Sequence, residues 1–140
     1  MSLPFASSGI IHKRPFRHGL VLFNSARFFE AHEALEDAWR MASRHSPTRR
    51  HLQGLVQLAV AFHHQSTGNY VGAHSVMKRG VRNLEGAEAS FPEMDLASLR
   101  GSVEDWRRYL EQVVSTKEGS GARTSISENR PEVPQITFRA

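Results

Sequence analysis

Cysteine is absent from the 140-residue chain. That removes disulfide staples, thiolate nucleophiles and cysteine-ligated metals from consideration, and it fits a reducing, cytoplasmic setting. Long apolar runs are missing as well. No stretch approaches the roughly 20 residues needed to span a bilayer, so no membrane partner is expected. Met1 to Ile11 is short, mixed and interrupted by Pro4 and Ser7-Ser8, unlike the apolar core of a secretory leader. There is no internal repeat and no glycine-rich phosphate loop, which sets aside solenoids and the common nucleotide-binding signature.

What the chain does have is enough length for one domain with a real core, and helical periodicity almost throughout. Phe16, Leu20 and Phe23 fall on one side of a short first helix, after an irregular lead-in over 1–15 marked by Pro4, Gly9 and Pro15. Ser25 is placed to cap a second helix that runs to about Ala42. Ser46-Pro47 is a helix start, with Gly68-Asn69 as the matching stop. Between them Leu55-Val56-Gln57-Leu58-Ala59-Val60-Ala61-Phe62 is apolar nearly all round, the pattern of a central helix. A fourth helix is expected from Tyr70 to Glu88, with Tyr70, Ala73, Met77, Val81 and Leu84 inward. A fifth follows a cap at Asp95, where Leu96, Leu99, Val103, Trp106, Leu110 and Val113 repeat by threes and fours. The fold class is therefore all-α: an antiparallel bundle of about five helices over 16–116, with the third buried. Residues 117–140 are rich in Gly, Ser and Pro and read as a flexible tail, whose Ile136 and Phe138 could dock on the bundle or on a neighbouring subunit.

The chemistry concentrates in the second helix. His32 and Glu36 are one turn apart, with Trp39 following on the same side and Glu33 beside them. Imidazole and carboxylate at this spacing can converge on one cation, and they suit zinc, iron or manganese. The third helix offers Gln53, Gln57, His63 and His64 as further members, either histidine being free to turn toward the second helix. The same residues could instead form a buried hydrogen-bond network, with Glu36 orienting His32 and a glutamine satisfying the remainder, or do acid–base chemistry without metal. Trp39, like Trp106, fits a core position on a helix stripe. R-x4-H occurs as Arg27…His32 and Arg40…His45, a pattern seen in some helical RNA-cleaving domains, but chance matches are expected among so many arginines and histidines. The formal charge is +4, and basic residues gather as Arg44, Arg49, Arg50 and His51 near one helix junction, Lys78, Arg79 and Arg82 on the fourth helix, and Arg107 and Arg108 on the fifth. Acidic residues accompany most of them and no aromatic stacking platform interleaves, so a solvated face is expected and nucleic acid is not.

Leu22-Phe23-Asn24, Phe29-Glu30-Ala31-His32-Glu33, Leu35-Glu36, Trp39, Leu52-Gln53-Gly54-Leu55, Ala59…His63, Gly68-Asn69 and Gly72-Ala73 stand in the order and spacing of a known group. From about Phe16 to Leu84 the chain resembles the small prokaryotic family catalogued as domain of unknown function 309. The resemblance implies an all-helical fold and an HxxxExxW motif, suggested to bind metal, at His32, Glu36 and Trp39. It also places the family's usual glutamine at Gln53 and its histidine at His63. The family has no established activity. Two functions are carried forward. One is a His/Glu/Gln site between helices that binds a divalent metal and acts as a hydrolase. The other is a non-enzymatic interaction module, which could self-associate as a homo-oligomer, whose polar cluster is structural.

Overall fold

Helix α1 spans Lys13–Asn24, three residues earlier than Phe16. Pro15 does not prevent this, because it stands in the first turn, where a backbone N–H has no intrahelical acceptor. The structure, a computed structural model, describes residues 12–118 and 130–139. The first eleven residues of the expected lead-in lie outside them. Four more helices follow: α2 (Phe28–Met41), α3 (Pro47–Ser66), α4 (Tyr70–Asn83) and α5 (Leu96–Glu118), with a short 3₁₀ turn at Ala87–Ala89. Among the described residues there is no strand, only an isolated antiparallel bridge between Met94 and Phe138. No described helix is long and apolar enough to cross a membrane.

The helix ends show which local signals acted. Ser46 caps α3 as expected, its hydroxyl accepting from Thr48 N at 3.0 Å with Pro47 in the first helical position. Asp95 caps α5 by accepting from Ser98 N at 3.0 Å. Ser25 does not cap α2. It closes α1 instead, donating its hydroxyl to Val21 O at 2.9 Å. The turn then needs a left-handed residue, Ala26 at φ 62°, at a cost of about 1–2 kcal/mol for a residue with a Cβ. Helix α4 stops at Asn83, short of Glu88, because Gly86 turns left-handed at φ 74°. Arg50 donates to the carbonyls of Arg82, Asn83 and Glu85, and Arg100 to that of Leu84 at 2.7 Å. Two guanidinium groups thus satisfy the carbonyls that the helix end leaves open.

Helix α3 is central, as its sequence predicts: it packs on α2 and α4, and Phe62 reaches α5 through an edge-on contact with Trp106, centroids 5.4 Å apart. Leu52, Leu55, Leu58 and Phe62 are fully enclosed, with Leu35 from α2, Met77 from α4 and Leu99, Val103, Trp106 and Leu110 from α5. The inner stripe of α4 passes through Gly80 rather than Val81, which is 36% exposed. A Cβ on Gly54 would lie 3.0 Å from the Gly80 carbonyl oxygen, and one on Gly80 3.1 Å from that of Gly54. The two backbones touch at this crossing, which is why the stripe takes a glycine there.

Residues 130–139 are not a loose tail. Ile136 is 2% exposed and Pro134 is buried. Trp106 donates its indole N–H to the Glu132 carbonyl at 2.8 Å. Phe138 pairs its backbone with Met94 but leaves 53% of its surface open. The docking expected of Ile136 occurs within the chain itself, and α5 extends two residues past the expected boundary at 116.

Candidate functional site

On α2 the buried positions are Phe28, Ala31, Ala34, Leu35 and Ala38. His32, Glu36 and Trp39 border that stripe and are half-buried. The sequence reading placed them beside the apolar face for the same reason: they sit one turn apart on its edge. His32 Nδ1 lies 3.1 Å from the Phe29 carbonyl oxygen. A carbonyl only accepts, so Nδ1 carries the proton and a neutral ring presents its lone pair at Nε2. That Nε2 is 3.8 Å from Glu36 Oε1, too far for a direct hydrogen bond. Glu36 also meets the Arg40 guanidinium at 3.3 Å, and Arg40 reaches Asp37 at 3.1 Å. Trp39 packs against the core with the Arg49 guanidinium 4.2 Å above its ring, and Arg49 Nε donates to the Trp39 carbonyl at 3.3 Å. This stacked cation ties the end of α2 to the start of α3.

Of the adjacent histidines near the end of α3, His63 is the one that faces α2. The Phe29 ring packs against both His63 and His32, with centroids 5.3 and 5.4 Å away. His64 turns toward the α3–α4 junction, where Asn69 Nδ2 approaches its Nδ1 at 3.4 Å. Gln57 also faces α4 and accepts from Asn83 Nδ2 at 2.8 Å. Of the eight residues singled out from sequence, then, His32, Glu36, Trp39 and His63 are half-buried along the α2–α3 edge, Gln57 and His64 turn toward α4, and Gln53 and Glu33 are exposed. Among the described residues, no three His, Asp or Glu side chains are grouped to hold a metal ion. The arginines of the R-x4-H pattern are occupied, Arg27 by Glu30 at 2.8 Å and Arg40 as above. Arg107 and Arg108 both pair with Glu104, as a solvated face requires.

A second cluster escaped the sequence reading. His51 is buried, its Nδ1 2.6 Å from Ser90 Oγ, which lies 3.0 Å from Thr48 Oγ1. His51 and Ser90 are 39 positions apart, and no local pattern announces the contact. On its other side the ring meets Arg50 Nη2, 3.2 Å from His51 Nε2, and hydrogen-bonds the Glu85 carbonyl. The cluster latches the Gly86–Ser90 turn onto the first turns of α3.

Burial, followed by the Arg50 charge, pushes the His51 pKa down; the hydrogen bond to the Glu85 carbonyl and then Glu88 oppose, and Arg100 assists. His74 on α4 is lowered the same way, by burial and then Lys78, with Arg107 assisting and Glu111 opposing. Its Nε2 is buried with no partner among the described residues. Both rings therefore protonate less readily in the fold than in the unfolded chain, whose histidines titrate near pH 6.5. The unfolded state binds more protons just below that pH, so stability rises with pH there. Melting temperature should be level above about pH 7 and fall as the pH drops from about 6.5 toward the folded values. Each unit of pKa depression contributes about 1.4 kcal/mol. Thermal melts across pH 5–8 check this, and a flat profile would mean that both rings bind protons as readily in the fold as in the unfolded chain.

With this geometry in place, comparison with known proteins locates the chain. Residues 16–76 match the family described as Domain of unknown function (DUF309). The chain is also similar to the Uncharacterized protein YpuF of Bacillus subtilis (strain 168), at 33% identity over 78 residues, which covers 55% of this chain and 44% of the relative. The chain thus spans less than half the length of that relative. The resemblance read from His32, Glu36, Trp39 and their neighbours is borne out over residues 16–76, a stretch that includes the whole α2–α3 edge and excludes the docked C-terminal segment.

Proposed function

We propose that the chain is a non-enzymatic helical binding module whose contact surface for another protein is the α2–α3 edge around Phe29. The observation that carries this is Phe29 itself. It is 49% exposed yet held by two imidazole rings, those of His32 and His63, instead of entering the core. An aromatic that is both exposed and pre-ordered loses little side-chain entropy on binding, and such residues anchor protein interfaces. Its neighbours neutralise one another, Arg27 with Glu30 and Arg40 with Glu36 and Asp37. An apolar centre with a mixed-charge rim suits a protein partner that brings an apolar side chain to Phe29 and hydrogen-bonding groups to the imidazoles.

A metal is the second reading, and one observation favours it. The Nδ1–H bond to the Phe29 carbonyl is the outer contact that metal-ligating histidines make, and it leaves Nε2 and Glu36 Oε1 as two electron-pair donors 3.8 Å apart. These two fit a zinc, iron or manganese ion as half of a ligand set. Among the described residues no third His, Asp or Glu joins them, Phe29 is what His32 and His63 both touch, and Glu36 is shared with Arg40. A hydrolase would need more protein ligands than this edge brings together.

One set of variants tests both readings. A photo-reactive phenylalanine at position 29 should give a discrete protein adduct in the native host, lost when His63 is changed to Ala. The same group at exposed Val71 on α4 should not. Phe29→Ala should cost less than about 1 kcal/mol of stability. Added zinc or manganese should leave the melting temperature unchanged. A metal-dependent rise that His32→Ala and Glu36→Gln both abolish, with no adduct at position 29, would replace the binding module with the metal site.

A further inference from the structure

The segment 130–139 is held as an extended peptide ligand is held. Asn24, the last residue of α1, uses its side-chain amide on both polar groups of Ile136: Oδ1 accepts from the Ile136 N–H at 2.7 Å and Nδ2 donates to the Ile136 carbonyl at 2.9 Å. Gln135 Nε2 donates to the Asn24 carbonyl at 3.0 Å. Asp95 N donates to the Thr137 carbonyl at 2.8 Å and Arg139 N to the Glu93 carbonyl at 2.8 Å. Trp106 takes the Glu132 carbonyl at the other end. Side chains alternate, with Pro134 and Ile136 inward and Val133, Gln135 and Thr137 outward. Main-chain bonds that fix an extended backbone, with alternate side chains seated in apolar positions, are the two parts of strand-like peptide recognition.

All of these contacts come from parts of the chain remote from the segment in sequence: the end of α1, the loop before α5 and the middle of α5. None depends on which copy of the chain supplies the segment. We infer that the groove between α1, residues 92–95 and α5 is a peptide-binding site, and that the ligand it takes in trans is residues 130–139 of a second copy. The second copy is the occupant because its segment reproduces every one of these bonds and the Ile136 seat unchanged. Exchange of an identical element in this way is a low-cost route to a symmetric pair. In the intact chain the segment follows α5 by eleven residues (119–129), so its own groove sees it at an effective concentration of order millimolar. Closure within one chain therefore prevails in dilute solution, and exchange shows when that closure is broken.

Two full-length variants break it on opposite sides. Asn24→Asp places an acceptor against the Ile136 carbonyl and spoils the groove while leaving the segment intact. Ile136→Asp spoils the segment and leaves the groove intact. At about 0.5 mM, on the scale of that effective concentration, each alone should sediment as a monomer. Their equimolar mixture should give a heterodimer, because one good groove then meets one good segment. A fluorescent peptide of residues 130–139 should bind the Ile136→Asp chain at least tenfold more tightly than the Asn24→Asp chain, and should dissolve the heterodimer in excess. If the peptide binds but the mixture stays monomeric, the groove serves its own chain or a different protein, and the second-copy inference falls. It falls equally if the peptide does not bind a helical Ile136→Asp chain. Should either variant lose its helical circular dichroism, single-cysteine chains decide the matter, since the protein has no cysteine of its own. Ser25→Cys and Gln135→Cys chains, mixed and oxidised, should cross-link far more than Ser75→Cys and Gln135→Cys chains. Equal cross-linking would overturn the inference.

Discussion

Replacing Phe62 with alanine should lower the free energy of unfolding by about 3–5 kcal/mol, the cost of deleting a fully buried phenylalanine. Phe62 has no exposed surface. Its ring meets Phe23 of α1 at 6.0 Å, Phe28 of α2 at 5.3 Å and Trp106 of α5 at 5.4 Å. Truncation thus opens a void among side chains from three other helices, and no one of them can fill it without abandoning its own packing. Of a typical total of roughly 5–15 kcal/mol, this is a large share. Urea unfolding followed by helical circular dichroism measures it. Phe29→Ala is the control, one residue from Phe28 yet half exposed, and its cost should be several-fold smaller. A loss below about 1 kcal/mol at Phe62 would mean that α3 is not the helix on which the others converge.

The position of Phe62 was legible because α3 announces itself three times over, by Ser46-Pro47, by Gly68-Asn69 and by an apolar run too long for a strand. The α5 stripe was legible for a similar reason: Leu96, Leu99, Val103, Trp106 and Leu110 are all buried. Periodicity names a face, however, and not the neighbour that the face meets. It could place His32 and Glu36 together on an edge, since both lie on one helix. It could not choose between His63 and His64, adjacent residues separated by about 100° around α3, nor tell that Gln57 answers Asn83 on α4 while Gln53 stays in solvent. Val81 was read as inward because glycine carries no hydrophobic signal, and the helix crossing selects Gly80 by what it lacks.

The two largest misreadings share a cause. His51 with Ser90, and Asn24 with Ile136, are contacts across 39 and 112 residues. Both are made by short polar groups whose local sequence predicts turns or tails. Ser25 shows the same limit at close range: a capping residue between two helices can serve either one, and its hydroxyl donates to Val21 of the first. The α2–α3 edge was therefore readable as a place but not as a chemistry. Whether His32 and Glu36 serve a metal or a surface depends on Phe29, Arg40 and His63 around them, and their positions follow from tertiary packing.

Changing Ile136 to alanine should cost about 2–5 kcal/mol, the range for a buried aliphatic side chain, although composition alone makes everything after Lys117 look dispensable. Ile136 is as enclosed as the core of α3, at 2% exposure, and its backbone is bound at both polar groups by Asn24. Asn24→Ala should also destabilise, by about 1–3 kcal/mol for each backbone group that stays buried without a partner. The two losses should not add. Once Ile136 no longer seats, the segment lifts and water satisfies the groups that Asn24 served, so the double variant should cost less than the sum. The junction has a second end, which makes the outcome sharper. Trp106 is buried, and its indole N–H has the Glu132 carbonyl as its acceptor. A segment that detaches should therefore change tryptophan emission in step with the loss of stability, whereas a segment that stays seated around a smaller side chain should not. Stability unchanged to within about 0.5 kcal/mol, the level of a surface substitution, together with unchanged emission, would mean that residues 130–139 do not hold this position in solution.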